Sequence, residues 1–404
     1  MRYEDMEFLN FKNVLSAIDE LHGSSRATIA KKLSLSRTTV SNITSSLISK
    51  GVVCEVQEME QRSASRGRPG APLALRDDVW YALGASYYSD SWNFVLCSLS
   101  GKMVNEHVVV LPDLTPELLV STLLDGIEYM MGRVKGKLLP AIGLGLPGIV
   151  DSENGDVLWA YDLKWVDRVV VRKAVEKRFA LQAYCLNRYT LAGLAEYTYA
   201  NPENDKNMVY VGLGSGIRSA IFVNGKLLEG ASFSAGRIGH VPIDPSGPLC
   251  ECGKHGCLLT LANEKALLNK ALELSVKPEF ADSPLAESKE ITVEQICRLA
   301  DQHDKCACKC IDAIAGPITI ALGMIIDIIN PRRIVIGGPI GYSSRYLVDK
   351  LNKDACSVAE ESPYRVMTIT QGKLKDIGSA LGAATLVLSH KPELLYLLDS
   401  NAID

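Results

Sequence analysis

The 404-residue chain is 47% hydrophobic and 22% charged, long enough for two or three domains with full cores and ordinary for a globular protein. Its net charge of −4 excludes a chain that is basic throughout, and no apolar run reaches the length of a bilayer span. The opening Met1-Arg2-Tyr3-Glu4-Asp5 is too acidic for a secretory signal, so a cytoplasmic protein with no membrane partner is expected.

Charge is nevertheless local. Residues 21–54 contain no acid but hold Arg26, Lys31, Lys32, Arg37 and Lys50, and residues 61–76 contain none but hold Arg62, Arg66, Arg68 and Arg76. A positive amino-terminal patch on a mildly acidic protein points to a polyanion met by one module. Val14, Leu15, Ile18 and Leu21 recur at helical spacing, and His22-Gly23 ends that helix. A second short helix is predicted over 26–33, with Ile29, Ala30 and Leu33 inward. Ser34-Leu35-Ser36 makes the turn, and Ser36 caps a third helix reaching residue 49. Val40, Ile43 and Leu47 form its inner face and Gly51 stops it, which leaves Arg37, Thr38, Thr39, Ser41, Asn42, Thr44 and Ser45 outward. A solvated helix usually carries Glu and Lys. Short hydroxyls and an amide with one arginine instead let a backbone approach a DNA groove and donate to phosphates or base edges. Three helices with a tight second turn predict a helix-turn-helix whose third helix is the recognition helix, against the alternative of a bundle for protein contacts. Val52-Val53-Cys54-Glu55-Val56 alternates like a strand and opens a wing. The wing ends in Ser65-Arg66-Gly67-Arg68-Pro69-Gly70, which is either a minor-groove arm or a flexible linker. Arg26, Arg37, Thr38, Thr39, Ser41, Asn42, Ser45, Arg66 and Arg68 are the candidate DNA contacts.

From Trp80 onward, strands alternate with helices. Tyr81-Ala82-Leu83-Gly84-Ala85, a strand from 92 to 96 and Ser100-Gly101-Lys102-Met103-Val104 read as strand, strand and hairpin. Strands at 209–213 and 219–222 with Gly225-Lys226-Leu227 repeat that opening. A buried strand is predicted over 141–146, a long apolar helix over 310–329, and a strand over 333–336 ending in Gly337-Gly338. The repetition predicts two related α/β lobes with a cleft between them. Three of the eleven cysteines, Cys250, Cys252 and Cys257, form a Cys-x-Cys-x4-Cys knuckle that can present three thiolates to one tetrahedral ion. Clustering of this kind in a reducing compartment favours metal over disulfide. Cys306, Cys308 and Cys310 fall in a helix, where position i+2 points away from i and i+4, so they do not converge.

Gly145-Leu146-Pro147-Gly148-Ile149-Val150-Asp151, the Gly214-Ser215-Gly216-Ile217 loop, Gly239-His240-Val241 and the cysteine knuckle occur in the order seen in the ROK family of repressors, open reading frames and sugar kinases. Asn330-Pro331 through Gly337-Gly338 and Gly378-Ser379-Ala380-Leu381-Gly382-Ala383-Ala384 continue the match. With the amino-terminal helices, the resemblance covers nearly the whole chain. It implies a two-lobed actin-like, RNase H-like body, usually a dimer or tetramer. It also implies that His240 joins Cys250, Cys252 and Cys257 on a zinc ion. Four protein ligands leave no open position, so that zinc is structural. His255 is a rival nitrogen ligand that reads better as an exposed turn residue.

The departures from the kinase pattern form a set. Arg188, in Leu186-Asn187-Arg188-Tyr189-Thr190, stands where a ROK kinase has its aspartate base, and an arginine stays protonated at any working pH. The first phosphate loop, Asp-x-Gly-Gly-Thr in the kinases, is replaced by Ser86, Tyr88, Ser89 and Asp90, and Arg218 follows the second loop where the family has glycine. Of the residues that grip a hexose in the family, Asn187 and His240 remain, while three acids have become Arg188, Arg237 and Leu259. Each lost hydroxyl contact costs on the order of 1–3 kcal/mol, which argues against family-type neutral hexose binding. Asn187, Arg188, Arg237 and His240 are the candidate ligand residues. Two accounts of the arginines stand: re-tuning for a sugar phosphate or sugar acid, or a decayed pocket in which each arginine pairs with an acid such as Glu196.

The expectation is therefore a non-enzymatic regulator, α/β in class. Residues 1–78 would form a winged helix-turn-helix with its basic linker, and 79–404 a ROK-type body. The first lobe would cover about 79–200 plus a carboxy-terminal helix near 376–392, and the second about 201–375. Its partners would be a palindromic operator in double-stranded DNA, a carbohydrate-derived effector and a second copy of the chain (homodimer or homotetramer), and its cofactor structural zinc. The alternatives are an active sugar kinase with an accessory DNA head, which would need a base at 188 and an ATP loop near 86, and a regulator controlled by a partner protein.

Overall fold

A computed structural model describes residues 3–21, 23–56, 71–88, 90–111, 115–160, 167–232, 234–358 and 367–400. The amino-terminal head begins with α1 (Tyr3–Glu20), which buries Phe11, Val14, Leu15 and Ile18 along one stripe. After β1 (Ser24–Ser25), Ser25 caps α2 (Arg26–Leu33) by accepting from the Thr28 amide, and Ser34 ends it in a left-handed conformation (φ 55°). Ser36 caps α3 (Arg37–Ser49) through the Thr39 amide. The strands β2 (Val53–Glu55) and β3 (Pro72–Leu75) complete an antiparallel sheet in the order β1-β3-β2. Residues 57–70, which include the candidate DNA contacts Arg66 and Arg68, lie outside the described residues.

The first lobe is a five-stranded sheet in the order β11-β7-β4-β5-β6. Its elements are β4 (Trp80–Tyr88), β5 (Ser91–Ser98), β6 (Met103–Val110), α4 (Pro116–Met131), β7 (Lys137–Leu146), a flap of β8 (Ile149–Asp151), β9 (Asp156–Trp159) and β10 (Val169–Val170), then α5 (Arg172–Phe179), β11 (Gln182–Asn187) and α6 (Arg188–Tyr199). The second lobe repeats the pattern in the order β14-β13-β12-β15-β16. It comprises β12 (Met208–Leu213), β13 (Ile217–Val223), β14 (Lys226–Leu227), α7 (Leu258–Ala262), α8 (Glu264–Ser275), α9 (Val293–Asp301), α10 (Lys305–Ile329), β15 (Arg333–Gly337), α11 (Gly338–Ser343), α12 (Arg345–Val358) and β16 (Thr368–Gln371). In both lobes three antiparallel strands are followed by two parallel ones on the other side of the first, so the repeat read from the hairpins is a repeat of topology.

Two helices close the chain, α13 (Ile377–Ser389) and α14 (Lys391–Ser400). Helix α13 lies directly on the first-lobe sheet because both partners are small where they meet. A Cβ at Gly84 would sit 2.2 Å from the Ala384 nitrogen, and one at Gly143 would sit 1.9 Å from the Ala383 oxygen. Helix α10 is the core of the second lobe, burying Ile311, Ile314, Ile318, Leu322 and Ile326. It begins at Lys305, a turn earlier than expected. It also corrects the reading of the apolar runs: by length and composition it is long and apolar enough to cross a bilayer, though 56% of its most apolar window is buried against the rest of the lobe.

Head and body share one apolar core. Phe11, Leu15, Leu47 and Leu73 from the head join Trp80, Leu139, Leu388 and Leu395 in a single buried cluster, and the Trp80 indole donates to the Lys50 carbonyl at 2.9 Å. Where one carboxy-terminal helix near 376–392 is expected, a second, α14, follows it and grips the head. Tyr396 meets Phe8 and Phe11 edge-on, Lys12 pairs with Glu393 at 2.9 Å, Lys391 pairs with Asp19, and Lys50 Nζ donates to the Leu395 carbonyl. The boundary at 78/79 is thus a change of sheet without a break in the core.

Candidate functional site

Strand β11 ends and α6 begins at Asn187, and this junction organises the cleft. Asn187 is buried. Its Oδ1 caps α6 by accepting from the Tyr189 amide at 2.9 Å, and its Nδ2 donates to the Gly148 carbonyl at 2.7 Å. It lines a cavity of about 80 Å³, yet its amide is committed to holding the turn. Arg188, 5% exposed, opens α6 with its guanidinium near the Tyr189 ring and one Nη 3.3 Å from Ser215 Oγ. Arg237 and His240 line the same cavity, so the four candidate ligand residues are brought together. Sequence reasoning missed a fifth. Arg218, placed by its loop at the phosphate site, instead lines this cavity, and its Nη donates to the Ala235 carbonyl beside it at 3.1 Å. Burial, then the Arg237 charge, pushes its guanidinium down to about 10. Burial likewise pushes His240 down to about 4, with Arg237, Lys254 and Arg218 adding to it. Among the described residues, three arginines thus line the cavity and no carboxylate does. Glu196, the suggested partner of Arg188, is engaged elsewhere: its Oε1 accepts the Lys373 and Leu374 amides at 2.6 and 2.8 Å.

Arg188 also borders a second cavity of about 550 Å³ between the lobes, beside Ser215 and Asp90. Its walls carry Asp90, Glu264, Glu290, Glu294 and Asp376, from both lobes. Burial, reinforced by Glu294, Asp90 and Asp376 and opposed by Arg188, pushes Glu264 up to about 7. Ser86 turns inward to Ser379 Oγ at 2.6 Å and the Gly145 carbonyl, and offers nothing to a phosphate. Ser89 lies outside the described residues. An acidic cleft repels a polyphosphate.

At the far side of the turn holding Arg237, the ligand atoms of His240, Cys250, Cys252 and Cys257 all lie within 4.8 Å of one another. Cys250 Sγ is 3.6 Å from His240 Nδ1, and Cys252 Sγ is 3.6 Å from Cys257 Sγ. Ligands about 2.3 Å from a shared tetrahedral ion stand roughly 3.8 Å apart, so the cluster fits a metal. A neutral His240 suits the role. His255 lies outside the cluster, its Nδ1 against the Gly247 carbonyl. Among the described residues the Cys306–Cys310 run forms no second such cluster.

On α3, Arg37, Thr38, Ser41, Asn42 and Ser45 are exposed, and Thr39 is half-buried with its hydroxyl 2.8 Å from Ser36 Oγ. Thr44 is corrected. It is fully buried, accepting from Arg26 Nε at 3.0 Å and donating to the Ser41 carbonyl. Arg26 is half-buried, with a 2.7 Å ion pair to Glu55, so its charge is shared with the head's own sheet.

A repeated five-stranded mixed sheet on either side of a cleft is the actin-like fold of sugar kinases. The chain belongs to the ROK family, whose pattern spans residues 89–390. It is 30% identical over 384 residues to a putative xylose repressor from Caldicellulosiruptor sp. (strain Rt8B.4), covering 93% of this chain and 94% of that one. It is 27% identical to the DNA-binding transcriptional dual regulator NagC of Escherichia coli K12, covering 94% of this chain and 92% of NagC. Its fold is like that of a ROK family transcriptional regulator described as a homologue of E. coli Mlc, with a TM-score of 0.82, 24% identity and coverage of 97% and 98% of the two chains. A ROK glucokinase from Streptomyces griseus, solved with glucose and AMPPNP, gives a TM-score of 0.66 at 22% identity, covering 76% of this chain and 98% of its own.

Proposed function

We propose that this protein is a sugar-responsive transcriptional repressor whose winged helix-turn-helix head binds a palindromic operator as a homodimer, and whose kinase-derived body senses its effector without catalysis. The observation that carries the reading is the outer face of α3: Arg37, Thr38, Ser41, Asn42 and Ser45 are exposed with no acid among them, on a chain whose relatives over nine-tenths of its length bear repressor or transcriptional-regulator names. Arg188 in place of a base and carboxylates where a nucleotide's phosphates would lie argue against phosphoryl transfer. Structural zinc on His240, Cys250, Cys252 and Cys257 would fix the turn that carries Arg237. The work would take place in the cytoplasm, where the operator is.

The relatives' names point to xylose and N-acetylglucosamine. The cavity of this chain, with Arg188, Arg218 and Arg237, favours a sugar phosphate or sugar acid held by charge-assisted hydrogen bonds. Occupancy would change the equilibrium between DNA-binding and released forms only through its differential affinity for the two.

The test is selection of duplex DNA from a random pool by the purified chain at low salt, followed by thermal shift with xylose, N-acetylglucosamine, gluconate and glucose 6-phosphate. Sequence-specific binding should appear and be lost in Asn42→Ala. An anionic sugar should stabilise the parent and lose its effect, by roughly 10-fold or more in affinity, in both Arg188→Asp and Arg237→Glu. Absence of any sequence preference at low salt sinks the regulator reading, and ATP-dependent phosphorylation of a hexose would restore the kinase one.

A further inference from the structure

Trp159 sits where burial alone does not account for it. It ends β9 and is 41% exposed, whereas Trp80 and Trp92 are 6% and 0% exposed. Its half-exposed indole lines the wall of a polar cavity, which sets an aromatic face beside charged groups. The cavity it borders is the one lined by the three arginines, and Ile149, Ile217 and Leu259 are its aliphatic contributors. One small space therefore combines a cationic lining with an apolar one.

The position of Trp159 is fixed from two sides. Ile149 is its antiparallel partner across β8 and β9. Gly148, at φ +68°, lies so close beneath the strand that a Cβ there would be 2.0 Å from the Trp159 carbonyl oxygen. The Gly148 carbonyl in turn accepts from Asn187, the residue whose other amide atom caps α6 and so sets Arg188. A single buried asparagine thus positions both the flap that carries the indole and the first arginine.

We propose that Trp159 is a stacking platform for the ring of the effector, so that the cavity selects a ring-bearing ligand over an acyclic one of the same charge. This rests on the reading that the Arg188–Arg237 cavity takes the effector. The chemistry is that of a sugar, which offers hydroxyls or an anionic substituent at its edge and a face of C–H bonds that packs on an indole. A bare anion uses the arginines and leaves the apolar wall wet. With three hexose-gripping acids replaced by Arg188, Arg237 and Leu259, contact with the ring face takes over part of the grip that hydroxyl-to-carboxylate bonds supply in the kinases. Such a contact tolerates changes of hydroxyl stereochemistry but requires a ring.

The experiment uses the full chain and reads binding by titration calorimetry and by tryptophan fluorescence. The probes are xylose, glucose 6-phosphate, glycerol 3-phosphate and inorganic phosphate, and the proteins are the parent, Trp159→Ala, Trp159→Phe and Arg237→Glu. The parent should bind at least one ring compound about tenfold more tightly than its acyclic counterpart, with a change in emission. Trp159→Ala should erase that preference while leaving glycerol 3-phosphate affinity unchanged. Trp159→Phe should keep most of the affinity and lose the emission change, a pattern that misfolding of the alanine variant would not produce. A ring preference that survives in Trp159→Ala, or an equal weakening of ring and acyclic probes, overturns the platform and leaves the effector cavity standing. A parent that binds none of the four overturns the effector cavity and the platform with it.

Discussion

Glu264 opens α8 in the acidic cleft, and its carboxyl is pushed up to about 7 first by burial and then by Glu294, Asp90 and Asp376. Unfolded, it would titrate near 4.5. Below that value it is protonated in both states and costs nothing. As pH rises from about 4.5 to about 7 the unfolded state ionises first, so stability falls across that window, and above it the loss is complete. The nearby Arg188 and the open side of the cleft moderate the effect, which leaves about 1–3 kcal/mol. Glu264→Gln should therefore be more stable than the parent at pH 8 and nearly equal to it at pH 4.5, measured as urea midpoints. A parallel pH dependence in parent and variant would remove Glu264 as its source. Asn187 shows a different residue-scale effect. It was chosen as a ligand residue by its place in a motif, but its two amide atoms are spent on the α6 cap and on Gly148. Replacing it should disturb the placement of Arg188 more than any direct contact with ligand.

The cysteine knuckle is an element with little else to hold it. Between Asp244 and Leu258 the loop is tied by turns such as Cys250 N to Lys254 O at 2.7 Å and by isolated bridges, while Leu249 is 65% exposed. Its order therefore depends on what the four ligands share, and through His240 so does the turn bearing Arg237. Purified protein should contain one zinc per chain. Cys252→Ser should lose it and melt at least about 4 °C lower, corresponding to roughly 1–2 kcal/mol or more in a lobe of this size, and its response to effector should fall as well. Protein with no zinc by elemental analysis and unchanged melting would refute a structural metal. The knuckle was legible because its spacing is local, as were the hairpins of both lobes, where glycine turns punctuate alternating strands, and α2 and α3, where Ser25 and Ser36 mark the caps. What was not legible depends on distance along the chain. Helix α14 is ten residues whose purpose is set by α1, more than 370 residues away in the 381-residue separation of Lys12 and Glu393. The direction of Arg218 follows from the register of β13 on β12, which pairs it with Gly212. Thr44 was read as exposed because it is polar, but its hydroxyl is satisfied by Arg26 and the Ser41 carbonyl inside the head.

At the scale of the whole molecule, a small head needs more than one recognition helix for a specific grip on DNA. One α3 offers about five short polar side chains and a single arginine, which covers only part of a groove. In the proposed homodimer a pair of such heads would double the contacts, and the second head would bind at an effective concentration set by the dimer rather than by the solution. The single core running from Leu15 and Leu47 to Leu388 and Leu395 makes each head rigid with its own body, so the separation of two heads is a property of how two bodies meet, and a ligand that alters that meeting alters the fit to half-sites about 34 Å or a multiple apart. Salt dependence measures this directly. Each phosphate neutralised contributes about −0.9 to the slope of log K against log salt, so a duplex carrying the full palindrome should show about twice the slope of a half-site duplex and much higher affinity, with sedimentation giving two chains per full site. Effector should lower affinity for the full palindrome while leaving the half-site nearly unchanged, because it acts on spacing rather than on the recognition helix. Equal slopes on the two duplexes would mean that a single head engages DNA, and an equal effector response on both would place the switch within the head itself.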